Sequence, residues 1–391
     1  MTTVPPAFRI DLAGLDTRPA QVWGGVRLVP LVRDEPVEGL RLRQELYEDE
    51  FATVAVGRRD TYSSSYVPHG FVADWSGDGT PAAAYGTRLD TSSPGTPPEL
   101  VKVHAPRRMT KRADRTRLRF LPLHLALEGY LSLHFGGPSI SWEQWSEHAL
   151  RRGLSPRAEE AYGGAQVRGL ADALRQFEIH PGQCGVVLYV ADALAAAFAV
   201  PHPDDYRALH RSLLLDLYGE LIHHYGVLSA PVPDFRADLR AAGPVDSPAA
   251  LRAAVEQQER AWAEFHDTAM AAGLLDADYR RRTVYRLDRF TLSRFLPDFR
   301  PKRENHIGEA ITDEDGRIAY LKSFRLSESQ VRRGHLLDRL AAHYWHLPAT
   351  AEALGLTEAQ LGLRLESAGF GALLRQDVLD HYRRHARTDG R

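Results

Sequence analysis

The chain is short of cysteine, lysine and long apolar runs, and each shortage excludes something. One cysteine in 391 residues, Cys184, rules out a disulfide framework and any thiolate metal cluster built within one chain. No run approaches the roughly 18 apolar residues that a membrane-crossing helix needs. The opening MTTVPPAFRIDL has neither the basic start nor the apolar stretch of a signal peptide. A cytoplasmic protein with no membrane partner is therefore expected. Of 49 basic residues only four are lysines, Lys102, Lys111, Lys302 and Lys322. With abundant Ala and Leu, this excess of Arg points to a GC-rich bacterial genome, which concerns source and not function. P-loop, GxGxxG, HExxH, GxSxG and CxxC patterns are absent. No cofactor is expected, and a binding or regulatory protein is favoured over an enzyme.

What is present is ordinary globular material, 43% hydrophobic and 26% charged, long enough for two or three domains of roughly 100–200 residues. The net charge of −2 hides a polarised distribution. Residues 102–119 hold eight cations and one acid, and residues 279–303 hold nine cations and two acids. Fields of this kind attract phosphate-bearing partners, so Arg107, Arg108, Lys111, Arg112, Arg281 and Arg282 are candidate phosphate or nucleic-acid contacts. In the second cluster Tyr279, Tyr285, Phe290, Phe295 and Phe299 interleave with the arginines. Two readings stay open: a stacking groove for nucleic acid, or core aromatics covered by arginine stems.

Local patterns indicate an α+β chain, a mixed body of hairpins and packed helices. Gln21–Val32 is β-branched and bounded by Gly and Pro, a strand or hairpin, and Phe51–Val56 is a second strand. Residues 57–100 are turn-rich over an unusually long stretch. Helices are expected over 121–135, 141–152 and 166–178. Residues 185–190 and 193–200 read as a buried hairpin broken at Ala191-Asp192. An amphipathic helix follows over 203–225, with Tyr206, Leu209, Leu213, Leu217 and Leu221 on one stripe. Residues 248–275 form a polar surface helix, and 305–324 a hairpin with an acidic turn.

Chemistry-bearing clusters are weak. His124 with Glu128, and Glu220 with His223 and His224, are pairs without the third ligand a metal needs. Trp142 and Trp145, with Trp75, could stack a base but suit a helix anchor better. Ser63, Ser64, Ser65 and His69 lack an orienting third group, and Cys184 reads as a core filler.

From Leu336 the chain runs LLDRLAAHYWHLPATAEALGLTEAQLGLRLESAGFGALL. A helix breaks at Leu347–Pro348, AEALGL follows, and Thr357 caps a further helix. Small Ala351 and Ala353 allow close approach, while Leu361 and Leu365 share one face. This segment resembles the helix-turn-helix of the bacterial Fis type. The resemblance implies a recognition helix with Gln360 and Arg364 outward, backed by Arg383, Arg384 and Arg387. Residues 331–370 carry four Arg against four acids, so a packing or dimerisation role stands beside duplex-DNA reading.

The segments VWGGVRLVPLV, LHLALEGYLSLHFGGPSISWEQW and FEIHPGQCGVVLYVADALAAAFAVPHPDDYRALHRSLLLDLYGEL make the body similar to the ARPP domain family, proteins associated with ADP-ribosylglycohydrolases and rhodanese-type phosphatases. That resemblance implies a role beside NAD-derived or ADP-ribosyl metabolism and carries no catalytic residues. The expected organisation is an ARPP-like α+β body (1–240), a helical connector with a basic segment and hairpin (241–330), and a trihelical helix-turn-helix unit (331–391). The expected function is ligand sensing or regulation through DNA, in a homo-oligomer. The alternative is an enzyme acting on a phosphate-bearing nucleotide or ADP-ribosyl substrate.

Overall fold

The computed structural model describes residues 8–40, most of 175–391, and the backbone of five short strands between residues 54 and 102. Those strands are β4 (Val54–Ala55), β5 (Tyr62–Ser63), β6 (Val72–Trp75), β7 (Pro81–Tyr85) and β8 (Glu99–Lys102), paired as β4-β5 and β6-β7-β8. The helices expected over 121–135 and 141–152, and nearly all of that over 166–178, lie outside the described residues. So do Arg107, Arg108, Lys111, Arg112, His124, Glu128, Trp142 and Trp145.

The body is built on one antiparallel sheet of nine strands. It comprises β1 (Asp16–Thr17), β2 (Gln21–Trp23), β3 (Val26–Val32), β9 (Gln183–Val190) and β10 (Ala193–Ala199). It is completed by β11 (Arg280–Leu287), β12 (Phe290–Leu296), β13 (His306–Thr312) and β14 (Ile318–Arg325). The order is β1-β3-β9-β10-β14-β13-β12-β11, with β2 paired beside β1 on the outer side of β3. β3 is buried along its whole length, β13 likewise, and β9 and β10 all but one residue each. That is why LVPLV and CGVVLYV are continuous apolar runs and not alternating ones: both faces are covered.

Pro30 is tolerated inside this sheet because its carbonyl accepts from Arg18 N (2.9 Å) on the β1–β2 side. Its missing N–H therefore falls where those two short strands break, and no ladder bond is lost. The expected hairpin break is a two-residue turn at Ala191 and Asp192, both at positive φ (47° and 60°), the twist that suits a tight hairpin. The sheet crosses residue 240. Residues 241–330, expected as a connector, supply four of its nine strands.

Phe295, Val187, Ala197, Ala310 and Leu321 face one side, against Ile10, Leu12, Leu15 and the helices after residue 247. The polar run 248–275 forms α2 (Pro248–Phe265), a π-turn at His266–Met270 and α3 (Ala272–Leu275). Ser247 caps α2 through Ala250 N, and Trp262 is buried with its indole N–H donating to Arg18 O at 3.0 Å. On the other side of β9 packs α1 (Pro203–Ser212), which buries Tyr206 and Leu209. The stripe expected to run to residue 225 instead passes into a π-turn at Ile222–Val227. Gly24, at φ 58°, is one place where glycine is required, because a Cβ there would collide with the Gly226 backbone. That close approach presses the π-turn onto the β2–β3 hairpin and sets the position of Tyr225.

The C-terminal unit contains α4 (Glu328–Ala342), α5 (Leu347–Ala353), α6 (Glu358–Leu365) and α7 (Gln376–Thr388). Ser327 with Gln330, and Thr357 with Gln360, form reciprocal capping boxes. The break falls at Tyr344 and Trp345, just before the expected Leu347–Pro348, because Pro348 suits the first turn of α5. Leu336, Leu337, Leu340, Ala351, Leu361, Leu365 and Phe370 form its core, with Leu354 and Leu356 half-buried at the margin. α7 closes over α6 with Tyr382 packed on Gly362. The unit docks on the body where the Phe299 ring covers Gly334 and Arg280 meets Asp338 at 2.6 Å.

Candidate functional site

Three places bring charged groups together. The first is the outer face of α6. Gln360 and Arg364 stand one turn apart and exposed, while Leu361 and Leu365 are fully buried behind them. Gln360 Oε1 accepts the Thr357 N–H at 3.0 Å, leaving its amide nitrogen outward. Among the described residues Arg364 has no ion-pair partner. Its expected helpers are less available: Arg383 pairs with Glu366 and, at 2.8 Å, with Asp380. Arg384 donates to Asp380 O at 3.2 Å, and the Arg387 side chain lies outside the described residues.

The second is the basic segment 279–303. Tyr279, Phe290, Phe295 and Phe299 are buried, so for these four the core reading holds and they form no stacking platform. Arg281 lies over the Phe8 ring at 5.3 Å, and Arg282 is exposed on β11, an edge strand. Arg280 is paired with Asp338 and Arg300 with Asp298. Arg294 is inside the protein, on one row with Glu309 and Lys322. Arg294 Nε to Glu309 Oε1 is 3.2 Å and Lys322 Nζ to Glu309 Oε2 is 3.6 Å. Burial, helped by Arg294, pulls the Lys322 ammonium down to about 8 against the pull of Glu309.

The third was not foreseen. A cleft of about 700 Å³ opens at the end of the sheet. One wall is apolar, from Val190, Leu194, Leu221 and Tyr225. Lys302, Arg303 and Glu304 come from the loop after β12, Arg325 from the end of β14, and Ser327, Glu328 and Arg332 from the start of α4. The charged lining is four cations against two acids. Glu304 is held on two sides, by His306 Nε2 at 3.4 Å and Arg325 at 3.5 Å. The hydrogen bond from His306, then the Arg325 charge, outweigh its partial burial and keep its carboxyl below the usual range. His306 is fully buried, which pushes its imidazole down so that it stays neutral, and among the described residues its Nδ1 has no hydrogen-bond partner.

On the same face of the sheet Tyr189 OH lies 3.0 Å from His266 Nε2, and His266 Nδ1 lies 2.8 Å from Asp267. Burial drives the Tyr189 phenol well above its ordinary range, so it keeps its proton. Cys184 behaves likewise, its thiol pushed up to about 11 by burial. No spacing in the sequence pointed to Glu304, Arg325 or Arg332, because only the tertiary fold brings three separate segments together.

The cleft takes its apolar wall from before residue 230 and its cations from after residue 300. Residues 10–288 match the model of the ARPP-2 family. The chain belongs to the ARPP-2 family. The ARPP-2 match ends just after β11, so β12–β14 and the helical unit lie beyond it, and the cleft straddles its boundary. No curated protein and no solved structure matches the chain. Among the described residues no helix is long and apolar enough to cross a membrane.

Proposed function

We propose that this is a ligand-sensing regulatory protein whose C-terminal unit works as a helix-turn-helix and reads duplex DNA. The observation that carries this is α6. A capped helix buries Leu361 and Leu365 and turns Gln360 and Arg364 outward at a spacing that fits base edges in a major groove. α5 precedes it across a turn with Gly355 at φ 63°, the order a helix-turn-helix uses. The ARPP family resemblance favours a signal drawn from NAD-derived or ADP-ribosyl metabolism. Phe370 is buried in the core of the unit.

Selection from a randomised duplex pool tests this. The full chain should enrich a motif containing guanine, and Arg364→Ala should lose that preference, since one bidentate arginine contact is worth about 1–3 kcal/mol of discrimination. Residual binding should fall steeply with added salt. Failure of the unchanged chain to enrich any sequence would overturn the reading.

A further inference from the structure

We infer that the cleft at the end of the sheet is a binding site for a small phosphate-bearing ligand with a planar remainder, of the nucleotide class. Its size lies within the range of small-molecule sites, roughly 300–1,000 Å³, at about 700 Å³. Its two halves differ in chemistry. Val190, Leu194 and Tyr225 offer an apolar wall suited to a ring. Lys302, Arg325 and Arg332 line the same cleft from three segments.

Lys302 and Arg332 are exposed and have no ion-pair partner among the described residues. Their charge is available to an incoming anion, unlike that of Arg383 or Arg280. Glu304 repels such an anion weakly, because Arg325 and His306 already hold its carboxylate. The first turn of α4 borders the same space, where its positive end attracts an anion and Glu328 opposes it. Phosphate oxygens would bridge Lys302 and Arg325 on the body to Arg332 on α4.

That bridge has a consequence. α4 carries Leu336, Leu337 and Leu340 into the core beneath α6. A ligand held between the sheet and the start of α4 favours the docked position of the helical unit by its differential affinity for that position. This consequence rests on the DNA-reading proposal above; the binding itself does not.

Calorimetry on the full chain tests it, using ADP, inorganic pyrophosphate and adenosine without DNA. ADP should bind, pyrophosphate about tenfold or more weaker, and adenosine not measurably. Lys302→Glu combined with Arg332→Glu should weaken ADP by about tenfold or more, as expected for two lost charge-assisted contacts. Both positions are exposed, so the thermal midpoint of the variant without ligand reports that it folds. The Arg364→Ala variant should keep its ADP affinity, which separates this site from failure of the DNA reading. The inference is overturned if ADP does not bind at millimolar concentration, if pyrophosphate binds as tightly as ADP, or if the double charge reversal leaves ADP affinity unchanged.

Discussion

The sheet and the helical unit place their charges in opposite ways. Arg294, Glu309 and Lys322 stand on three neighbouring strands with side chains 4%, 0% and 1% exposed. In the helical unit Arg375 and Asp377 pair in open solvent, and Arg383 meets Glu366 and Asp380 at the surface of α7. A buried pair has lost its hydration and depends on its partners; a solvated pair keeps water as a substitute. The sheet is therefore intolerant of single charge changes, while the unit is intolerant of changes to its leucines.

The sharpest break of that contrast is Glu309→Ala. It would leave two buried cations without their carboxylate, and removing one member of such a group typically costs about 3–5 kcal/mol. Urea unfolding of the variant measures this, and a loss near zero would mean that the charges are solvated. Next is Leu361→Ala. Leu361 is fully buried in the small core, so the cavity should cost about 2–5 kcal/mol. Leu354→Ala should cost less, because Leu354 is only half-buried; equal losses in chemical unfolding would contradict the packing.

Acid titration probes the body again. Burial lowers the folded-state values of His306 and His210, outweighing Glu304 in one case and the Phe177 carbonyl in the other. The unfolded chain binds protons near pH 6.5 while these two imidazoles stay neutral. Their contribution is thus complete above that pH and is lost as the pH falls below it. The thermal midpoint should drop on going from neutral to acid, and His306→Gln should flatten part of the slope. A midpoint unchanged over that interval argues against buried neutral imidazoles.

Thr357→Ala removes the cap of α6, for an expected loss of about 1 kcal/mol. A thermal melt of this variant should shift less than that of Leu361→Ala. Smallest of all, Arg375→Ala disturbs only a solvated pair and should leave the midpoint unchanged; a clear shift would show that surface pairs matter here.

The same contrast explains what could be read in advance. Helices of the C-terminal unit announce themselves through contiguous residues: Thr357 with Gln360, Pro348 at a first turn, leucines four apart. The β9–β10 and β13–β14 hairpins were equally local. The second basic cluster left two readings open because sequence cannot say that Arg294 points inward, or that Phe295 and Phe299 are covered by segments from elsewhere in the chain. Its alternation of Arg and aromatic residues suits a strand with one buried and one open side, yet β12 is buried on both sides, Arg294 on one and Phe295 on the other.

By itself the sequence determined the α+β class, the family resemblance of the body, the helix capped by Thr357, and the pairing of outward Gln360 with Arg364. All of these depend on residues a few positions apart, where propensity, capping and side-chain period act directly. Only the tertiary structure decided that β11–β14 complete the sheet begun by β1–β3, that Glu309 lies buried between two cations, and that Lys302, Arg325 and Arg332 line one cleft with Tyr225. Those outcomes depend on which distant strands pair and in which register, a choice made by the burial of whole faces and written in no single segment.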